Sequence, residues 1–113
     1  MALTYASYLK LEELLALQQP QSQGKAHDEM LFIVIHQTYE LWFKEVLHEI
    51  DLLGRHFENC DFADAQFTLK RIQSILKVLV SQMDILETLS SLQFLAFRDL
   101  LGSASGFQSA FQP

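Results

Sequence analysis

At 113 residues, the chain has room for one hydrophobic core and not for two, because a domain of this size buries only roughly two-thirds of its unfolded surface. Half of its residues are apolar and 19% are charged, which excludes the disordered class, where low hydrophobicity and high net charge prevent collapse. Its formal charge of -6 repels phosphate backbones, so nucleic acid is not an expected partner.

Residues 1–9 have no apolar period and read as an arm. Across 10–17, Leu11, Leu14 and Leu15 share one side of a short helix. Residues 18–25 gather Gln, Pro, Ser and Gly, the composition of a linker without apolar anchors. From 26 to 58 the residues Ile35, Tyr39, Trp42, Val46, Ile50, Leu53 and Phe57 recur at steps of three and four, predicting a helix that could reach about 45 Å. Asp28 and Glu29 fall in its first turn, where acids suit the positive end of the helix dipole, and Gly54 marks a bend or the true end. The apolar run Met30 to Ile35 is far shorter than the roughly twenty residues of a membrane span, and no basic region precedes an apolar one at the N-terminus. Neither an anchor nor a signal peptide is expected.

Cys60, the single cysteine, lies between this helix and the next. It cannot close an intramolecular disulfide, which fits a reducing, cytoplasmic setting. Asp61 is a suitable N-cap for a second long helix over 62–89, along which Leu69, Ile72, Leu76, Leu79, Met83 and Leu86 form a continuous stripe. Two stripes joined by a short connection predict an antiparallel hairpin, since neither is buried without the other. Ser90 or Ser91 caps a further helix over 92–101, stopped by Gly102, and 103–113 reads as loop. The expected fold is all-α: two long antiparallel helices plus short ones, a bundle whose wide apolar faces, including Trp42, Phe43 and Phe62, call for completion by a dimer or larger oligomer.

Three constellations could carry chemistry. At 100° per residue, Phe32 lies about 40° from His36, Phe43 and Leu47 about 20° and Tyr39 about 60°, so His36 sits within an aromatic face. It is either a core histidine bonded to a carbonyl or a neutral base in an apolar pocket. Phe94, Arg98 and Leu101 share a face of the last helix. The guanidinium there either grips a carboxylate through two parallel hydrogen bonds or pairs with an acid such as Asp99. Glu45 and His48 have the Glu-x-x-His spacing of di-metal bundles, but no second pair follows. With Glu49, Arg55 and His56 they read as a solvated polar face, so no metal site is expected unless a dimer doubles the motif, and His27 beside Asp28 reads as a capping or surface residue.

The run His27-Asp28-Glu29-Met30-Leu31-Phe32-Ile33-Val34-Ile35-His36-Gln37-Thr38-Tyr39-Glu40-Leu41-Trp42-Phe43-Lys44 resembles the first signature of the tryptophan 2,3-dioxygenase family. Two further segments follow the family's order. Tyr5-Ala6-Ser7-Tyr8-Leu9 resembles its N-terminal arm, and Phe97-Arg98-Asp99 with Ala104-Ser105-Gly106-Phe107-Gln108-Ser109 resembles its substrate loop. The resemblance implies an all-helical oxidoreductase of tryptophan catabolism, the kynurenine pathway, in which ferrous haem binds dioxygen. Both oxygen atoms then enter across the indole C2 to C3 bond of L-tryptophan, giving N-formylkynurenine. It places His36 as the catalytic residue near the indole N–H, Arg98 on the substrate carboxylate, and Phe32, Phe94 and Leu101 against the indole ring. Tyr5 and Tyr8 would reach a neighbouring pocket, because family members are tetramers.

The departures are equally specific. The family's proximal haem histidine follows the substrate loop in a C-terminal half this chain does not contain, and His27, His48 or His56 could replace it only in a rebuilt pocket. Ala110-Phe111-Gln112-Pro113 stands where an aromatic-Arg continuation is usual, and Ala6 where the arm has Gly. The sequence therefore predicts the substrate-binding half of such an enzyme, inactive by itself. The alternative is a catalytically silent helical oligomer or a module that binds an indole or amino acid.

Overall fold

The computed structural model describes residues 2–105 and 109–111, without the side chains of Ser103 and Ser105. Helices and turns account for its regular structure, with no strand among the described residues. Within the N-terminal arm, Tyr5–Tyr8 form one helical turn, α1. The Ser7 N–H donates to Thr4 Oγ1 at 3.1 Å and the Thr4 N–H donates to Ser7 Oγ at 3.0 Å. This reciprocal cap satisfies orphan donors without any apolar period. Lys10, at φ +53°, then breaks the chain before a second single turn, α2, Leu11–Leu14.

Polar contacts hold the following linker. The Glu29 carboxylate is buried and accepts from the backbone N–H groups of Gln21 (2.7 Å) and Ser22 (2.9 Å). Burial alone would raise this carboxyl, but bonds from the Ser22 hydroxyl and the two backbone N–H groups outweigh it and hold the group below its ordinary 4.5. Gln18 Nε2 donates to Gln37 Oε1 at 2.9 Å, and Gln37 Nε2 donates to the Leu17 carbonyl at 3.1 Å. Gln37 and Glu29 both belong to α3, Glu29–Glu58, so the linker is laced to the helix that follows it.

α3 passes straight through Gly54 and reverses into α4, Phe62–Leu86. Tyr39 donates its hydroxyl to the Leu79 carbonyl at 2.9 Å, while Arg71 meets Glu49 at 3.3 Å. One helix therefore descends as the other ascends. Burial raises the Tyr39 hydroxyl above its ordinary 10.0. Two assignments of face need correction. Glu49 is not on a solvated face but buried, with Arg71 as its ion-pair partner. The inward face of α4 is Ala65, Thr68, Ile72 and Ile75, rotated by about 30° from the apolar stripe, and leaves Leu69, Leu76 and Met83 exposed. Ala65 and Thr68 are small enough to sit directly at the contact, Ile72 and Ile75 fill the space beside them, and the three larger stripe residues lie to one side.

The last helix, α5, runs Ser91–Leu101, with Ser90 Oγ accepting from the Gln93 N–H. Gly102, at φ +55°, ends it in a conformation that favours glycine. A 3-10 turn over Gly102–Ser105 follows where loop was expected. α5 is fixed to the start of α3 by Asp28, whose Oδ2 accepts from the Ser90 N–H and whose own N–H donates to Gln93 Oε1, both at 3.3 Å. Beneath it Phe97 is fully buried.

The molecule is open for its size. Its radius of gyration is 18.0 Å, against about 13 Å for a compact domain of this length. Its accessible surface is 8852 Å², against about 6300 Å² for a folded monomer of this mass. Leu92, Val80, Leu15, Phe67 and Phe62 are all more than 60% exposed.

Candidate functional site

Phe32 and His36 stand one turn apart on α3, and Phe94 and Phe97 face them from α5. The Phe32 and His36 rings are 4.4 Å apart, and Phe32 lies 5.7 Å from Phe94 and 5.4 Å from Phe97. Phe94 and Phe97 meet edge to face at 5.4 Å, the arrangement ring quadrupoles favour. Above this floor opens a cavity of about 420 Å³, walled by Phe32, His36, Leu86, Leu89, Phe94 and Leu95, with Glu87 and Ser91 supplying its polar edge. Its size falls in the range of small-molecule pockets.

His36 is half-buried, with Nδ1 2.7 Å from the Phe32 carbonyl oxygen. A carbonyl only accepts, so Nδ1 carries the proton, and in the neutral ring Nε2 is the acceptor nitrogen. The residue thus bonds a carbonyl of its own helix and borders a largely apolar cavity. On the opposite side of α3 it also borders a second cavity of about 880 Å³, lined by Leu14, Leu15, Met30, Val34, Leu41 and Phe111 among others.

The remaining candidates are more dispersed. Arg98 lies one turn beyond Phe94 in the last turn of α5 and is exposed, and Leu101 is half-buried; neither lines the 420 Å³ cavity. Tyr5 and Tyr8 are 76% and 69% exposed and do not line it either. Residues 106–108 of the loop lie outside the described residues. Ser109 returns to α3, its hydroxyl donating to Glu40 Oε2 at 3.0 Å, while the Ala110 N–H donates to Glu40 Oε1 at 3.3 Å. Sequence reasoning missed both Glu40, one turn past His36, and Phe97, the floor of the aromatic cluster. Glu40 gave no periodic signal, whereas Phe97 is three residues from Phe94 and could have been placed on the same face.

Haem would need an axial imidazole facing this pocket. His27 and His48 are exposed, and neither they nor His56 line the cavity. Along α3, His48 and His56 stand about 18 and 30 Å from His36 at 1.5 Å per residue. The histidines of this chain therefore do not fit a haem beside His36. Glu45 and His48 do not enter a metal cluster among the described residues; the donors that do converge are His56, Asp61 and Asp64.

The sequence matches the family profile described as Tryptophan 2,3-dioxygenase over residues 1–112. Among curated relatives, the tryptophan 2,3-dioxygenase of Herpetosiphon aurantiacus is 59% identical over 108 residues, covering 96% of this chain and 42% of the relative. That of Anaeromyxobacter sp. (strain K) is 55% identical over 109 residues, covering 96% and 40%. The Dictyostelium discoideum protein of the same name is 51% identical over 114 residues, covering 93% and 28%. The chain thus spans less than half the length of these relatives, and the match includes the segments that form α3, α5 and the aromatic cavity between them. It belongs to the tryptophan 2,3-dioxygenase family.

Proposed function

We propose that this chain is the substrate-recognition portion of a haem-dependent dioxygenase that opens the indole ring of L-tryptophan to N-formylkynurenine. The observation that carries the reading is the aromatic cavity with an oriented imidazole at its wall. Phe32 and Phe94 offer apolar faces to an indole, and His36 Nε2, made an acceptor by the Nδ1 bond to the Phe32 carbonyl, suits the indole N–H. Arg98, one turn from Phe94, would supply the charge for the amino-acid carboxylate, and Leu101 would lie against the indole ring. Haem would supply dioxygen binding. The work of this chain's own residues would be to bind and orient the substrate.

The roughly 2500 Å² of surface in excess of a compact monomer supports self-association, or docking with further sequence, as a condition for a complete site. Exposed Tyr5 and Tyr8 suit a contribution to a neighbouring copy's pocket. The same excess favours a second reading, a catalytically silent helical oligomer that binds an indole or amino acid. No helix among the described residues is long and apolar enough to cross a bilayer.

Thermal unfolding with ligands tests the recognition role. L-Tryptophan should raise the melting temperature more than tryptamine, which lacks the carboxylate, and Arg98→Ala should abolish the difference. Arg98→Lys should restore little, because an ammonium cannot make the two-pronged contact. His36→Ala should weaken both ligands. Equal shifts for the two ligands in the unaltered chain would remove the carboxylate role and favour the silent assembly.

A further inference from the structure

We propose that His56, Asp61 and Asp64 form a binding site for a divalent transition-metal ion, with zinc as the best chemical match, where the α3–α4 hairpin reverses. One donor atom from each of the three side chains lies within 4.8 Å of the others. None of these side chains forms a hydrogen bond or ion pair with another described residue. Asp61 occupies the N-cap position of α4, yet its carboxylate does not cap the helix.

The backbone prearranges these donors. The Asp61 N–H donates to the His56 carbonyl at 2.8 Å, and Cys60, at φ +58°, makes the turn between them. Ala65 and Thr68, buried against α3, fix the rotation of the first turns of α4 and hence the position of Asp64. His56 is half-buried in the last turn of α3. The triad therefore joins the end of one packed helix to the start of the next.

The donor set selects the ion. Two carboxylates held this close repel each other, and a divalent cation removes the repulsion and leaves the site neutral. The positive end of α4 would suit the two carboxylates without an ion, but it does not account for an imidazole beside them. One nitrogen and two oxygen donors suit zinc, cobalt or nickel, whereas magnesium and calcium prefer oxygen alone. Zinc bonds of about 2.0–2.2 Å place tetrahedral ligands about 3.4 Å apart. Rotation of the exposed Asp61 and Asp64 side chains can close that gap without moving the backbone. Three protein ligands leave one position for water.

This site stands at the hairpin end, remote from the aromatic cavity, and its test does not depend on the proposed recognition of tryptophan. The 113-residue chain is titrated with Co²⁺, whose visible absorption reports coordination, and the bound ion is then displaced with Zn²⁺. One ion per chain should saturate the signal, Zn²⁺ should displace it and Mg²⁺ should not. His56→Ala, Asp61→Asn and Asp64→Asn should each weaken binding at least about tenfold, the loss seen when even a supporting residue of a metal site is removed. His48→Ala and Cys60→Ser should bind as the unaltered chain does. Zn²⁺ should also raise the melting temperature of the unaltered chain and not that of His56→Ala, because an ion that binds only the folded state stabilises it by mass action. Absence of saturable binding would overturn the proposal. So would undiminished binding by a folded His56→Ala, as judged by circular dichroism, or loss of binding in Cys60→Ser, which would assign the ion to the thiol.

Discussion

Glu29 offers a sharp test of how the linker is held, because its carboxylate is the acceptor for two backbone N–H groups eight and seven residues upstream. A hydrogen bond to a charged group contributes about 1.5–3 kcal/mol. Glu29→Ala should therefore cost about 3–5 kcal/mol by loss of both bonds. Glu29→Gln keeps one acceptor but can turn an amide NH₂ toward an N–H, and should cost about 2–3 kcal/mol by the same reckoning. The pH dependence separates charge from shape. The folded state holds this carboxyl below its ordinary 4.5, so as the pH falls the unfolded chain takes up the proton first. Its stabilisation is complete above the unfolded value and is lost as the pH drops through the lowered folded value. Urea unfolding followed by circular dichroism at about pH 7 and about pH 3 should show the gap between the unaltered chain and the Glu29→Gln variant narrowing at the acid end. A gap of the same size at both pH values, or no gap at neutral pH, would refute the role assigned to the carboxylate.

Two other expectations concern packing. Phe97→Ala empties a fully buried position touched by Phe32 and Phe94 and should cost about 3–5 kcal/mol in the same unfolding assay; a loss below about 1 kcal/mol would mean the cluster is not close-packed. Light scattering at micromolar concentration should report a dimer or larger species, since about 2500 Å² of surplus surface suits an extensive interface; a clean monomer would remove the case for self-association.

The two long helices were legible because their apolar residues step by three and four, a pattern that survives without knowledge of any partner. The face of α4 was less so, since Ala65 and Thr68 carry little hydrophobic weight and are buried because they are small, while Leu69 and Leu76 carry much and remain exposed. Charge misled in the same way at Glu49, whose burial depends on Arg71 across the hairpin. The turn at Tyr5–Tyr8 rests on the Thr4 and Ser7 cap, which an apolar period cannot reveal. At the site, Phe32 beside His36 followed from their one-turn spacing. The approach of Phe94 and Phe97 did not, because it is set by how α5 docks on α3.

That docking gives the acidic start of α3 a purpose beyond complementing a helix dipole. Asp28 does not cap α3 with its side chain; its carboxylate and its backbone N–H both reach the start of α5, at Ser90 and Gln93. Gln93 immediately precedes Phe94, and Phe32 lies one turn beyond Asp28, so this pair of bonds sets the separation of the two rings that wall the cavity. Glu29, the next residue, holds the linker that delivers α2 to the other side of α3. Adjacent carboxylates thus orient the chain on both sides of the same helix, one toward the aromatic cavity and one toward the linker. His36, two turns further on, lines cavities on both sides. The signature run from His27 to Lys44 therefore combines one wall of the aromatic cavity with the contacts that position it, which is why so short a segment can specify a cavity built from helices distant in sequence.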